Sequence, residues 1–183
     1  MARINKTRYA ILGMLMFRPM SGYDMKKSMQ RSTNYFWAES DGQLYPILRQ
    51  LKQEKLVTVK EESCGARVRK IYSITDQGRN ALMSWFIQPS ELPIMRSEIL
   101  LKLFFGQFAP TGINAEHIKS YRNTMQQQNE RCVQAIEHFQ QDHQNDPNQP
   151  YWLITVQRGQ IVTEALIKWC DETLAILENL DKK

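Results

Sequence analysis

The order of hydrophobic patterns in the first 75 residues constrains this chain most strongly. Three segments carry apolar residues at helical spacing: residues 6–17, residues 22–32, and a third that starts around residues 40–42 and runs to about residue 55. Two short runs rich in β-branched residues follow, residues 57–62 and 68–75, on either side of a turn that contains Gly65. The predicted order is therefore helix, helix, helix, strand, strand, with Val57, Val59, Ile71 and Ile74 marking the apolar faces of the two strands.

The third predicted helix has two chemically different faces. Its buried stripe is expected to consist of Leu44, Ile47, Leu48 and Leu51. At 100° per residue the opposite face carries Gln43, Tyr45, Pro46, Arg49, Gln50 and Gln53. Because a proline is comfortable only in the first turn, the helix either begins as late as Gly42 or tolerates one lost hydrogen bond at Pro46. The outward face holds side chains that can bond bases and phosphates.

The charge of the chain is unevenly distributed along its length. The 183 residues carry a formal net charge of +5. Residues 1–89 contain 15 Lys and Arg against 7 Asp and Glu, a net of +8, whereas residues 90–183 contain 9 against 12, a net of −3. A basic first half indicates that this part meets a polyanion. Together with the element order it predicts a winged helix-turn-helix, in which one helix enters the DNA major groove and the strand ribbon contacts phosphates.

A break around Pro89 and Pro93 predicts two domains, residues 1–89 and residues 90–183. Beyond the break, residues 94–108 are apolar on nearly every side, which predicts a helix that is buried all round. Asn114 is expected to cap a long helix that ends near residue 143, and a last helix should run from about residue 151 to residue 180. The predicted fold class is mainly α: an N-terminal winged helix-turn-helix followed by an α-helical domain for dimerisation.

The last helix carries more apolar surface than three helices of one small domain are expected to hide. This excess predicts a homodimer, with two-fold symmetry as the commonest arrangement. Such a dimer would place its recognition helices about one DNA turn apart, ~34–36 Å, and would prefer an inverted repeat. The predicted interface residues are Leu153, Val156, Val162, Leu166, Trp169, Ile176, Leu177 and Leu180.

Several classes of protein are excluded by what the sequence contains. The cysteines, Cys64, Cys132 and Cys170, are far apart and form no CxxC pair, so neither a disulfide framework nor a zinc site is expected. Motifs for nucleotide binding or nucleophilic catalysis are missing, so the chain is predicted not to be an enzyme and to need no cofactor and no metal. The start lacks a secretory apolar core and no stretch is long enough for a membrane span. We expect a cytoplasmic protein with no membrane partner, associated with the nucleoid when bound to DNA.

Three spaced motifs resemble those of a known family. They are Ser21-Gly22-Tyr23, Leu44-Tyr45-Pro46-Ile47-Leu48 and Arg69-Lys70-Ile71-Tyr72, followed by Thr75 and Gly78. In this order they resemble PadR-type transcriptional regulators over roughly residues 8–80. The remainder resembles the helical C-terminal domain of the longer, virulence-activator branch of that family, through its length, its helix pattern and the region around Trp169.

The resemblance implies a dimeric regulator of double-stranded DNA, usually a repressor and sometimes an activator, whose last helix packs against the partner subunit. Carried over to this sequence, it implies DNA contacts from the third helix, from the second helix and from the wing, which is the ribbon of the two predicted strands at residues 57–62 and 68–75. The residues concerned are Gln43, Tyr45, Pro46, Arg49, Lys52, Arg67, Arg69, Lys70, Tyr72, Lys26 and Lys27. Tyr72 fits a place in the wing strand and a place in the core equally well.

Two questions stay open from the sequence. Several relatives bind phenolic acids or planar hydrophobic compounds, and Trp37, Tyr151 and Trp152 are candidates for lining a pocket for a small aromatic ligand. The same aromatic residues are also suited to the core or to the interface between subunits. The alternative function is a helical dimeric adaptor that binds another regulator rather than DNA.

Overall fold

The computed structural model describes residues 5–33, 36–37, 41–64, 67–92, 94–110 and 112–180. Its architecture is mainly helical with a small three-stranded antiparallel sheet, which confirms the predicted fold class. The chain divides into two compact units, Met1–Leu92 and Pro93–Lys183. The elements are α1 (Thr7–Phe17), β1 (Met20–Ser21), α2 (Gly22–Ser32), α3 (Asp41–Gln53), β2 (Val57–Cys64), β3 (Arg67–Ile74), α4 (Asp76–Phe86), α5 (Glu98–Phe104), α6 (Ile113–Asp142) and α7 (Gln149–Leu180).

The helices of the first unit begin at side-chain caps that can be read from the sequence. The Ser21 hydroxyl accepts a hydrogen bond from the Asp24 amide and starts α2, and the Thr75 hydroxyl accepts one from Gly78 and starts α4. Such caps satisfy amides that have no partner within the helix. The helices then close around one apolar core, whose most deeply buried members include Ile11, Leu12, Met25, Leu48, Leu51 and Leu82.

α3 runs through its proline without ending. Pro46 is the sixth residue of the helix, so the structure realises the second of the two alternatives, a helix that lacks one backbone hydrogen bond. The predicted stripe of Leu44, Ile47, Leu48 and Leu51 is buried. Packing of this apolar stripe against the core stabilises the helix and offsets the loss of the backbone hydrogen bond at Pro46.

The sheet has the strand order β1-β3-β2, with β3 in the centre. Val57 pairs with Ile74 and Val59 with Tyr72, so these four side chains share the face that meets the core. Ile71 pairs with Lys60 on the other face. The sequence prediction grouped Ile71 with Ile74 and is wrong, because residues three apart in a strand point to opposite faces. The core position belongs to Tyr72.

In the second unit, α6 and α7 form an antiparallel hairpin with a narrow buried seam. The seam consists of Ile118, Met125 and Cys132 on α6, and of Val156, Thr163 and Cys170 on α7. Each set repeats every seven residues, as in a coiled coil. Burial raises the pKa of both cysteine thiols. An ion pair between Arg122 Nε and Asp171 Oδ1 at 2.6 Å joins the two helices at the surface.

Two predictions for the start of the second unit are wrong. The expected all-round buried helix is only the seven-residue α5, and none of its side chains is buried: Phe104 is 81% exposed. A 3₁₀ turn at Gly106–Phe108 follows it. Asn114 does not cap α6. Gly112, with φ at 80°, holds the cap position, and Asn114 Nδ2 donates to the Gly106 carbonyl at 2.9 Å.

Within the described ranges, no helix combines the length and the apolar character that crossing a bilayer requires. In the same part of the chain, no group of three or more His, Cys, Asp or Glu side chains is arranged to hold a metal ion.

Candidate nucleic-acid interface

The outward face of α3 is the first component of the candidate interface. Gln43, Tyr45, Pro46, Arg49 and Lys52 are all exposed on the side of the helix opposite the buried leucines. Across the described residues, no carboxylate lies within ion-pair distance of Arg49 or Lys52. The two cations are therefore available to an anionic partner, on a helix that the core holds rigidly.

The N-terminal half of α3 lies directly against the start of α2. A Cβ atom placed on Gly22 would come within 2.7 Å of Tyr45 Cε1 and 3.5 Å of Leu48 Cδ1. Only a residue without a side chain permits this approach. The sequence motif Ser21-Gly22-Tyr23 thus has a packing reason: its glycine lets Tyr45 lie over the N-terminus of α2.

Tyr72 lies in the core of the first unit. Its side chain is 8% exposed, and burial raises the pKa of its phenol, which lies within electrostatic range of Tyr45 and Arg49. Of the two interpretations open from the sequence, the core position is the correct one. Its ring shares the core-facing side of the sheet with Val59, its partner on β2.

The wing supplies fewer free cations than the sequence indicates. The Arg67 side chain and residue Gly65 lie outside what the structure describes. Lys70 is exposed, with its Nζ 3.8 Å from Glu61 Oε1. Arg69, predicted to contact phosphates, instead forms an ion pair with Asp24 on α2. Two carboxylates on β2 lie opposite cations of β3: Glu61 pairs with Lys70, and Glu62 pairs with Arg69.

The second helix and β2 contribute the remaining cations. Lys27 is exposed and Lys26 is half-buried. Lys60, which the sequence analysis did not select, is also exposed on β2. Its position could have been found from strand alternation, since it directly follows the core-facing Val59 and therefore points to the other face of the sheet.

Known proteins match both halves of the chain. Residues 11–84 match the model of the transcriptional regulator PadR-like family, and residues 95–178 match that of the virulence activator alpha C-terminal domain. The negative transcriptional regulator PadR of Bacillus subtilis is 33% identical over 100 residues, which make up 54% of this chain and 55% of that protein. The aligned region therefore spans about half the length of this relative.

Solved structures extend the similarity over almost the whole chain. The virulence activator AphA of Vibrio cholerae is 31% identical, with a TM-score of 0.62, covering 94% of this chain and 98% of that one. The chain belongs to the PadR-like family of transcriptional regulators. Bacillus subtilis PadR in complex with operator DNA has a TM-score of 0.82 at 22% identity, covering 94% of this chain and 99% of that one, and shows the fold alone. The same protein has been solved with p-coumaric acid, at a TM-score of 0.74 and 22% identity, covering 93% and 94% of the two chains.

Membership of the PadR-like family confirms the resemblance seen in the sequence motifs. It also confirms that the chain is a transcriptional regulator and not an enzyme, since the relatives are regulators. The structure identifies what two of the family-like motifs do here. The glycine of the first motif makes room for Tyr45, and the tyrosine of the third fills the core.

The predicted dimer residues on α7 occupy three different environments in this PadR-like chain. Val156 is completely buried against α6 and has no surface left for a partner, so its assignment to the interface is wrong. Leu153, Val162, Leu166, Trp169 and Leu177 are half-buried. Ile176 and Leu180 are each 60% exposed. Sequence reasoning missed two further exposed residues of α7, Ile154 and Ile161, because a 32-residue helix offers apolar positions on more than one face.

The three aromatic residues proposed for a ligand are divided between the two units. Trp37 Nε1 donates to Thr7 Oγ1 at 3.3 Å in the first unit. In the second unit Tyr151 is exposed, and Trp152 packs against the rings of Phe139 and His143. An open groove of about 810 Å³ does exist in the second unit, between α5, α6 and α7. Its apolar wall contains Ile99, Tyr121, Val162, Leu166 and Trp169.

Proposed function

We propose that this PadR-like regulator binds double-stranded DNA sequence-specifically, as a homodimer on an inverted repeat, and represses transcription. The single observation that carries the proposal is the exposed face of α3, where Arg49 and Lys52 have no carboxylate partner in the described structure. In this proposal the first unit, predicted as residues 1–89, binds DNA, and the second, residues 90–183, dimerises.

The mechanism follows from the two kinds of contact. The α3 face would lie in the major groove, with Gln43 and Tyr45 near its N-terminal end and Arg49 one turn further on. An arginine guanidinium donates two hydrogen bonds to one edge of guanine, which discriminates between base pairs. Lys27, Lys60 and Lys70 would meet phosphates, which supply affinity and salt dependence without reading sequence.

Dimer formation is supported by the apolar surface that the second unit leaves uncovered. Ile154, Ile161 and Ile176 on α7 are exposed, as are Leu101 and Phe104 on α5. Exposed apolar surface on this scale is typical of a protein–protein interface. A two-fold axis would present two recognition helices to half-sites about one helical turn apart, ~34–36 Å, and so would favour an inverted repeat.

Repression relieved by a small aromatic ligand is the second part of the proposal. It is supported by the Bacillus subtilis relative, which is described as a negative regulator and has been solved with p-coumaric acid. Ligand binding would be visible in tryptophan fluorescence, because Trp169 lies in the wall of the groove of the second unit. An unchanged spectrum with a panel of phenolic acids and planar dyes would argue against a ligand of this class.

The decisive experiment measures binding of the full chain to a pool of random duplexes and to the duplex that it selects. We expect steep salt dependence on both. Arg49→Ala should lower affinity for the selected duplex by about 10- to 100-fold and bring it close to that of a scrambled duplex. Lys70→Ala should weaken both duplexes by the same factor.

The matched control is Lys102→Ala on α5, which removes a cation of the second unit and should leave DNA binding unchanged. If Arg49→Ala and Lys70→Ala affected the choice of sequence equally, the assignment of roles would be wrong. Failure of the wild-type chain to bind any duplex at low salt would favour the adaptor function instead.

A further inference from the structure

We propose that the N-terminus of α2 is a joint that sets the wing and the recognition helix in one fixed arrangement, with Arg69 as a positioning residue rather than a phosphate ligand. The joint consists of Ser21, Gly22 and Asp24, with Arg69 and Tyr45 seated on it. The inference rests on the proposed DNA interface, because it assigns a role to the parts of that interface that do not touch DNA.

The wing side of the joint is a closed set of hydrogen bonds. Arg69 Nη2 donates to the Asp24 carboxylate and, at 3.2 Å, to the Ser21 hydroxyl. The same hydroxyl donates to Asp24 Oδ2 at 3.0 Å and accepts from the Asp24 amide at 3.2 Å. The cap of α2 and the anchor of the wing are therefore one hydrogen-bonded unit.

The backbone reinforces this anchor. β1 pairs with the central strand β3, with Ser21 opposite Ile71 and Met20 opposite Tyr72. Arg69 precedes Ile71 by two residues in β3 and lies on the same face of the sheet. Because β1 and β3 are antiparallel, the Arg69 side chain therefore reaches α2, the helix that follows β1. The ion pair thus continues the strand pairing beyond the point where β1 ends.

The recognition side of the joint is a packing contact. Gly22, between Ser21 and Asp24, has no room for a side chain because Tyr45 of α3 lies over it, 2.7 Å from the position of a Cβ atom. Tyr45 belongs to the outward face of α3 and is half exposed. The first turn of α2 therefore contacts both the wing, through Arg69, and the recognition helix α3, through Tyr45.

The charge balance explains why Arg69 is a poor phosphate ligand. Its guanidinium is already matched by the Asp24 carboxylate, whose side chain is 31% exposed. Moving Arg69 to a phosphate would leave that carboxylate without its charged partner and would remove the bond from Arg69 Nη2 to the Ser21 hydroxyl. Lys70 lies 3.8 Å from Glu61 Oε1, so a contact between Lys70 and a phosphate would break a weaker ion pair.

The experiment uses Arg69→Gln, Asp24→Asn and their charge exchange, Arg69→Asp with Asp24→Arg, in the full chain. The probe is the duplex that the wild-type chain selects from a random pool, with a scrambled duplex beside it. We expect each single variant to weaken binding of the selected duplex by about tenfold, the Gln/Asn double variant by no more than either single one, and the exchange to recover affinity to within about threefold.

The opposite results would overturn the proposal. If Arg69 bound phosphate directly, Asp24→Asn would keep or raise affinity by freeing the guanidinium, and the exchange would place a carboxylate against DNA and abolish binding. Binding by the wild-type chain is the separate check on the proposed function, because it must be present before any variant is compared. Unfolding temperatures of all variants show that affinity changes arise in folded protein.

Gly22→Ala tests the recognition side without changing any charge. We expect a loss of about tenfold on the selected duplex with little change on the scrambled one, because a displaced Tyr45 disturbs base contacts and leaves phosphate contacts in place. Gly13→Ala in α1 is the matched control, since a Cβ atom there meets nothing within 4 Å. Equal binding by Gly22→Ala and the wild-type chain would contradict the packing half of the joint.

Discussion

The two units of this chain bury apolar residues in different ways. Among the described residues of the first unit, fifteen buried apolar residues from α1–α4, the strands and the connection between α3 and β2 form one closed cluster. Among the described residues of the second unit, five are buried and apolar, and they lie along the single seam between α6 and α7. The first unit buries most of its patterned apolar side chains within its own core, whereas the second unit leaves many of its apolar side chains exposed.

The difference reflects the number of layers. Three or more elements that cross one another can enclose a core, as α1, α2, α3 and the sheet do. A two-helix hairpin with a short α5 has one inner face, so apolar residues on the other faces point outward. A unit of this kind is completed by a partner, which is the physical basis of the proposed dimer.

The largest expected effect tests the closed core. Leu48→Ala removes a completely buried side chain of α3 and should lower the free energy of unfolding by about 2–5 kcal/mol. Chemical denaturation at fixed protein concentration measures this change. Met83→Ala on α4, where the side chain is exposed, is the control and should stay within about 0.5 kcal/mol of the wild type. A loss below about 1 kcal/mol for Leu48→Ala would show that this core is not closed.

The next effect tests whether the second unit needs a partner. Ile176→Asp puts a charge on the exposed apolar surface of α7 and should raise the dimer dissociation constant about 100-fold, which corresponds to ~2.7 kcal/mol. Sedimentation velocity over a range of concentrations measures it. Gln127→Asp adds the same charge to the opposite, exposed side of α6 and should leave the dimer intact. A wild-type chain that sediments as a monomer at micromolar concentration would contradict the proposed dimer.

A smaller effect is expected at the only polar residue in the seam of the hairpin, within the part that the structure describes. The buried Thr163 hydroxyl lies 3.0 Å from Asn129 Oδ1 of α6, and it also lies 3.0 Å from the Gly159 carbonyl and 2.9 Å from the Gln160 carbonyl of its own helix. Thr163→Val should cost about 1 kcal/mol of unfolding free energy, because the Asn129 oxygen loses its partner while the shape is kept. Thr155→Val, whose hydroxyl bonds only the Tyr151 carbonyl of its own helix, should change stability by less than half as much. Equal costs for the two variants would mean that the Asn129 bond adds nothing.

The smallest effect concerns pH. Partial burial raises the pKa of Asp24, but the hydrogen bonds from Ser21 and the charge of Arg69 outweigh it and hold the pKa below its ordinary value of 3.8. A lowered pKa stabilises the fold above the ordinary value, and this contribution is lost as the pH falls through the folded-state pKa. The wild type should therefore melt about 2 °C above Asp24→Asn at neutral pH, with the gap closing below about pH 4. A gap that stayed constant down to pH 2 would contradict this assignment.

Local signals in the first unit were sufficient to predict most of its structure. The Ser21 and Thr75 caps lie within three residues of the amides that they bind, and the Leu44–Leu51 stripe follows from helix geometry alone. The sequence also separated the outward face of α3 from its buried face correctly. Each of these features depends on neighbours within a turn or two of the same helix.

The errors share a different cause. Arg69 meets Asp24 across 45 residues of sequence, and Tyr72 takes the core position because β3 pairs with Val59 of β2 and Met20 of β1. α5 carries the apolar pattern of a buried helix, but its described neighbours leave every one of its side chains at least partly exposed. None of these outcomes depends on a nearby residue.

The sequence by itself determined the element order, the two faces of α3, the uneven charge and the family, because helix periodicity, capping and motif spacing are local properties of the chain. The tertiary structure decided which cations are free, which tyrosine lies in the core and which apolar residues remain uncovered. These properties depend on pairs of residues that are far apart in sequence, and only the packed chain brings such pairs together.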